Sequence, residues 1–354
     1  MSWRALRQAA LSIAVLMCAA ALAGPAQIRA VAQTTAPRLE AVPVPHEVRS
    51  RLPPLKAPKG ELVEFDAAPF PYNGRVPTTG RPFFDVIDED GRRGHRTARA
   101  GVLWEDITYS DRRSLLFMPK GFDVRRPGVI VVFLHGNRAT LERDVHHRQR
   151  VAAQIADADV NAVLVAPQLA VNANDSSAGL FWEQFGFARF LGEAGAHLAK
   201  MRGDARTRQT FATLPVVIVA YSGGFMPAAW ALHEGGTGKR VIGVVLLDAL
   251  YGEVDKYAAW IVRRRAGFFV SAYTSSSARG NEVLQGILAD RDIPFATSLP
   301  PRIQGSVTFL RTGAGVDHES FVTHAWAPDP IRDVLERMIG YARVLPTPRR
   351  DAAR

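Results

Sequence analysis

The sequence predicts an α/β fold: a mostly parallel β-sheet with helices on both faces, entered through an N-terminal antiparallel hairpin. Three observations lead there. Short runs rich in Val, Ile and Leu recur beyond residue 128, each bounded by turn formers, and stretches of helical composition fall between them. Ahead of this alternation, "VLWEDITYSDRRSLLFMP" (102–119) carries two strand-like runs around a turn signal at Ser110-Asp111. Runs that stay apolar along their whole length fit strands covered on both faces, the usual state of a parallel sheet.

In chain order the predicted strands after the hairpin are 128–136, 161–168, 214–222, 241–250, 267–274 and 305–313. The helical segments are 140–157, 184–201, 225–234, 254–265, 281–289 and 329–343. An opening hairpin followed by this alternation implies a mostly parallel sheet with helices on both faces. No internal repeat is visible.

The chain outside this core divides by composition. Residues 1–23 have a basic start (Arg4, Arg7), an apolar run from Ala9 to Ala23, and small residues at Ala21 and Ala23. That is the pattern of a secretory signal peptide cleaved near Gly24; an uncleaved anchor is the alternative, disfavoured by the shortness of the run. Residues 24–64 read as a Pro/Ala-rich linker and 65–100 as an extension packed on the domain. The α/β domain occupies 101–345, and 346–354 is a basic tail. Cys18, the one cysteine, lies in the signal segment, so a mature chain holds neither disulfide nor cysteine-ligated metal. Bulky Met17 before it speaks against a lipoprotein anchor.

The formal net charge is +10, carried mostly by arginine. The charges are neither clustered on one stretch nor interleaved with aromatics, so nucleic acid is not implied. Membrane contact is expected only through the signal segment or weak electrostatics. There is no H-E-x-x-H, glycine-rich phosphate loop or cysteine cluster, hence no metal or cofactor is expected.

The stretch "LPVVIVAYSGGFMPAAWAL" (214–232) passes from a buried strand through Tyr221-Ser222-Gly223-Gly224 into a helix. A serine on such a corner, with small neighbours that allow strand and helix to approach, has the form of a nucleophile elbow. The first glycine of G-x-S-x-G is Ala220 here. A serine hydroxyl needs a base to take its proton and a carboxylate to hold that base. His318 follows the last strand; His324, six residues on, is the second choice of base. The strand 267–274 is followed by no Asp or Glu before Glu282, whereas "VVLLDALYG" ends the preceding strand with Asp248. A carboxylate set directly behind an apolar run requires a hydrogen-bond partner. His318 supplies one; a capping role at the strand end is the alternative. "FLHGNRAT" (133–140) places His135, Gly136 and Asn137 at another strand end, from which the Asn137 amide, with that of Gly223, could face a developing oxyanion.

Strand order, the serine corner and the His-Gly pair together resemble the α/β-hydrolase fold over residues 101–345. The resemblance implies the chain order Ser222, Asp248, His318 for a catalytic triad, with Gly223 and Asn137 as the oxyanion pair. His135, Gln168, Trp182, Tyr221 and Tyr251 are candidates for the pocket around it. The aromatic segment 181–187 either walls that pocket or packs the following helix. The expected activity is an exported serine hydrolase acting on a small-molecule or cell-envelope ester or amide. A catalytically silent relative that binds an envelope ligand is the alternative.

Overall fold

The computed structural model describes residues 52–313 and 315–343, which lie within one compact unit. The predicted signal segment, most of the linker and the basic tail lie outside the described residues. Eight strands form the principal sheet: β1 (Lys59–Glu64), β5 (Arg113–Met118), β6 (Val129–Leu134), β7 (Ala162–Pro167), β8 (Val216–Tyr221), β9 (Val241–Leu247), β10 (Phe268–Tyr273) and β11 (Val307–Arg311). Their order is β1-β5-β7-β6-β8-β9-β10-β11. β1 and β5 pair antiparallel, β5 and β7 likewise, and every later pair is parallel. Helices α1 (Val151–Asp157), α2 (Gly186–Arg202), α3 (Arg208–Thr213), α4 (Phe225–His233), α5 (Val254–Arg263), α6 (Ala278–Ala289) and α7 (Pro330–Glu336) connect or cover the strands. This is the arrangement of an α/β-hydrolase fold.

The central strands are buried residue by residue: VIVVFL in β6 and VVIVAY in β8 have no exposed position. Two apolar clusters lie on the two sides of the sheet, one including Ile130, Val132 and Leu134 and the other Val129, Val131 and Phe133, as the two-residue strand period requires. At roughly 1.5–3 kcal/mol for each large aliphatic side chain removed from water, these strands anchor the domain.

Three predictions need correction. The hairpin over 102–119 does not form: β4 (Gly101–Trp104) joins β2 (Val86–Ile87) and β3 (Arg93–Thr97) in a separate antiparallel sheet, and a π-helical turn at Glu105–Tyr109 turns the chain away. Tyr109, fully buried against Phe70 and Phe83, fixes that turn. The antiparallel entry is instead β1 against β5, so the linker ends before residue 59. Its signal is weak because an edge strand can be polar: Lys59, Glu61 and Glu64 surround only Leu62 and Val63. Third, the segment 140–157 is two pieces, a π-helical turn at Leu141–Arg148 and α1, broken where Arg150 is left-handed (φ 52°).

Candidate active site

Register assembles the site. Tyr221 pairs with Leu247 and Leu247 with Ala272, while Leu134 pairs with Ala220. The residues that follow each of these strands therefore emerge side by side at one edge of the sheet: Ser222 after β8, Asp248 after β9, Thr274 after β10 and His135–Asn137 after β6. His318 reaches the same edge from the loop after β11.

His318 Nε2 lies 2.8 Å from Ser222 Oγ, and its Nδ1 lies 2.7 Å from Asp248 Oδ2. A carboxylate at Nδ1 selects the tautomer with its proton there, leaving Nε2 free to accept the serine proton. Ser222 has φ 50°, a left-handed conformation that costs a non-glycine residue about 1–3 kcal/mol. Close packing holds it. A Cβ on Gly224 would stand 2.2 Å from the Leu134 carbonyl oxygen, and one on Gly136 would stand 2.7 Å from Ser222 Cβ. Ala220, in place of the usual first glycine, sits inside β8 with its methyl buried, so nothing in the turn demands a glycine there.

Asp248 is wholly buried and also left-handed (φ 44°). Burial pushes its carboxyl up, but hydrogen bonds from His318, Ser277, the Thr274 amide and Ser276 more than offset this and hold it well below the usual carboxylate range. The donors are the Thr274 amide at 3.0 Å, the Thr274 hydroxyl at 2.9 Å, Ser276 Oγ at 2.8 Å, and Ser277 Oγ. The segment "TSSSA" after β10, notable in the sequence for lacking an acid, is thus the cradle of the acid from the neighbouring strand. Tyr251 donates its hydroxyl to Ser276 at 2.9 Å, since the Ser276 proton is directed to Asp248.

Tyr221 has a part that its place in the sequence did not disclose. Its ring stacks on His318 (centroids 5.0 Å apart, planes at 27°), and its hydroxyl donates to the His318 carbonyl at 2.8 Å. Burial raises its pKa, so the phenol stays a donor. His324, by contrast, is exposed and contacts Thr323.

The loop after β6 is held from beneath. The Leu169 amide donates to His135 Nε2 at 2.9 Å, so the ring's proton is on Nδ1 and goes to the Gly136 carbonyl, 2.8 Å away. Burial lowers the His135 pKa to about 4 and keeps the ring neutral. Gln168 accepts from the Leu141 amide at 3.0 Å. His135 and Gln168, predicted as pocket residues, are both buried and instead clamp the loop that carries Asn137, because their polar atoms are consumed by backbone groups. Asn137 itself lines the cavity, with its side chain fixed by Asn174 and Ser176 at 3.1 Å each. Among the described residues no protein acceptor takes its backbone N–H. Gly223 lies in the first turn leading into α4, where N–H groups have no intrahelical acceptor.

A cavity of about 580 Å³ opens over Ser222 and His318. Tyr221 and Tyr251 line it, together with Phe225, Asn174 and Ser176. Trp182 does not: it packs against Tyr72 and Phe83 and borders a separate cavity of about 140 Å³. The predicted aromatic wall is divided accordingly. Phe181 and Phe187 pack in the core with Phe190, while the polar residues before them reach the cavity. Sequence reasoning missed four arginines on the cavity: Arg138, Arg143 and Arg148, spaced five residues apart after β6, and Arg99 from a separate part of the chain.

No family model matches the chain, and no curated protein matches it in sequence. Solved structures do align. The feruloyl esterase module of Clostridium thermocellum, complexed with sinapinate, is 16% identical, with 84% of this chain and 99% of that one covered and a TM-score of 0.43. A ferulic acid esterase of Anaeromyces mucronatus is 11% identical over 84% and 96% of the two chains, with a TM-score of 0.39. An S-formylglutathione hydrolase of Agrobacterium tumefaciens is 12% identical over 69% and 93%, with a TM-score of 0.38. At such identities the chemistry must be read from this chain's own residues. Among the described residues no cluster of His, Cys, Asp or Glu is arranged to hold a metal ion.

Proposed function

We propose that the protein is an exported serine hydrolase that cleaves a carboxylic ester or amide through an acyl-enzyme. The observation that carries this reading is the continuous hydrogen-bonded line from Ser222 Oγ through His318 to buried Asp248, opening on a cavity. Ser222 Oγ attacks the carbonyl carbon while its proton passes to His318 Nε2. The carbonyl oxygen becomes an oxyanion, held by the amides of Gly223 and Asn137. Collapse breaks the bond to the leaving oxygen or nitrogen, which takes the proton from His318. Water then attacks the acyl-enzyme, gives its proton to His318, and the second collapse returns that proton to Ser222 and releases the acid. Asp248 stays ionised throughout and stabilises the imidazolium.

The residues around Ser222 serve an ester and an amide alike, since both pass through the same oxyanion. Export rests on the basic and apolar pattern of residues 1–23; among the described residues no helix is long and apolar enough to cross a membrane. The test is hydrolysis of a panel of short-chain esters and anilides by purified protein and by Ser222→Ala. Turnover that the substitution reduces by at least about a thousandfold supports the reading. Equal turnover by the two proteins overturns it.

A further inference from the structure

The mouth of the cavity over Ser222 carries Arg99, Arg138, Arg143 and Arg148 against two carboxylates, Asp144 and Glu319. Their partners divide the four into two classes. Asp144 is buried and accepts from the Thr140 amide at 2.8 Å, from Arg143 at 3.0 Å and from Arg148 at 2.9 Å, so one carboxylate is shared by two guanidinium groups. Arg148 also donates to the Glu319 carbonyl, next to His318. Arg99 and Arg138 have exposed side chains that make no hydrogen bond or ion pair among the described residues. They come from different parts of the fold: Arg99 lies in the turn between β3 and β4, and Arg138 follows Asn137 with φ 60°. Unpaired guanidinium groups converging on one opening are prepared for an oxyanion, which they bind through planar two-pronged contacts.

We propose that the substrate is anionic: it carries a carboxylate or phosphate a few bonds from the scissile carbonyl, and Arg99 and Arg138 receive it at the cavity mouth. The inference rests on the proposed hydrolase activity, since it assigns the charge of what that site cleaves. The paired arginines contribute background potential. Because the two free ones are exposed, each contact is screened, and the combined preference for an anion is about tenfold rather than thousands.

The test compares esters matched except for charge. On the acyl side these are mono-4-nitrophenyl glutarate and its methyl ester; on the alcohol side, 4-acetoxybenzoate and its methyl ester. The measured quantity is the ratio of kcat/KM, anionic over neutral, in each pair. One pair or the other should give a ratio of roughly ten at low salt, falling steadily as added salt shortens the screening length from about 10 Å at about 0.1 M to about 3 Å at about 1 M. Which pair responds shows which end of the substrate meets the arginines. Inhibition by glutarate or by phenyl phosphate distinguishes carboxylate from phosphate recognition. Arg99→Gln with Arg138→Gln should bring the ratio near one, whereas Arg291→Gln, a charge loss on an exposed site away from the cavity, should leave it unchanged. Arg143 and Arg148 are left in place because removing them would strand buried Asp144. Turnover of both members of each pair with a ratio of one or less overturns the inference and leaves the hydrolase standing. Turnover of neither pair overturns the inference, and if the panel of short-chain esters and anilides also shows no Ser222-dependent turnover the hydrolase reading falls with it.

Discussion

Asp248 shows how a single residue ties fold to chemistry. Replacing it with Asn keeps the shape but puts an N–H₂ where an acceptor stood. The rigid Thr274 amide must still find an oxygen, so the carboxamide oxygen of the new side chain would face Thr274 and its N–H₂ would face His318. That drives the imidazole to the opposite tautomer, in which Nε2 holds a proton and cannot take one from Ser222. Turnover should fall by about four powers of ten with the protein still folded, at a stability cost of roughly 1–3 kcal/mol for the disturbed buried hydrogen bonds. His324→Ala should leave turnover near the parent value, since that ring is exposed and makes no contact with Ser222 or Asp248. Steady-state kinetics on the two variants checks both expectations. His135 gives a second consequence at this scale. Its folded pKa, lowered by burial to about 4, lies below the value near 6.5 of an unfolded histidine. The unfolded chain therefore binds the extra proton, so this group's effect is absent above about pH 6.5 and erodes stability as pH falls toward 4. It amounts to roughly 3 kcal/mol across that window. Denaturant unfolding of the parent and His135→Gln at several pH values checks this; an equally steep acid decline in the variant would exclude His135 as its source.

At the scale of elements, the strand ends depend on backbone approaching backbone. Gly224→Ala sets a methyl against the Leu134 carbonyl of β6, so the corner carrying Ser222 must shift or the strands must part. A loss of at least about 2 kcal/mol in stability is expected, together with most of the activity. Gly192→Ala is the matched control: it lies in α2 with open space around its Cβ, and should stabilise the protein by roughly 0.5–1 kcal/mol. Chemical denaturation distinguishes the two. The contrast also explains which elements were legible in the sequence. β6, β8 and β9 are nearly continuous apolar runs, and Asn137, Ser222 and Asp248 stand just beyond their ends. β1 was hidden because one face of an edge strand meets water, and the false hairpin arose because pairing partners depend on where Tyr109 packs, which lies outside any local pattern.

At the scale of the whole molecule, residues 59–100 are part of the domain that does the work. β1 covers the β5 edge, and Phe65, Phe70, Tyr72 and Phe83 enter the main core cluster. A chain beginning at residue 101 should therefore express as aggregate or unfolded protein, because β5 becomes a free edge and the core is left without those four rings; a soluble, cooperatively folding product would contradict this. The extension also brings Arg99 to the cavity. The cluster at the mouth was not legible for that reason: Arg138, Arg143 and Arg148 are near one another in the sequence, but only the fold brings Arg99 to them and sets the group beside Ser222. Ser222, Asp248 and His318, by contrast, each follow directly from where a strand ends. The measurement that tests the assignment of these three most directly is covalent labelling with a fluorophosphonate, followed by intact mass and peptide mapping. The account predicts a single adduct on Ser222, lost in Ser222→Ala and slowed by orders of magnitude in His318→Ala. Folded protein that takes up no label, or takes it up on another residue, would contradict it.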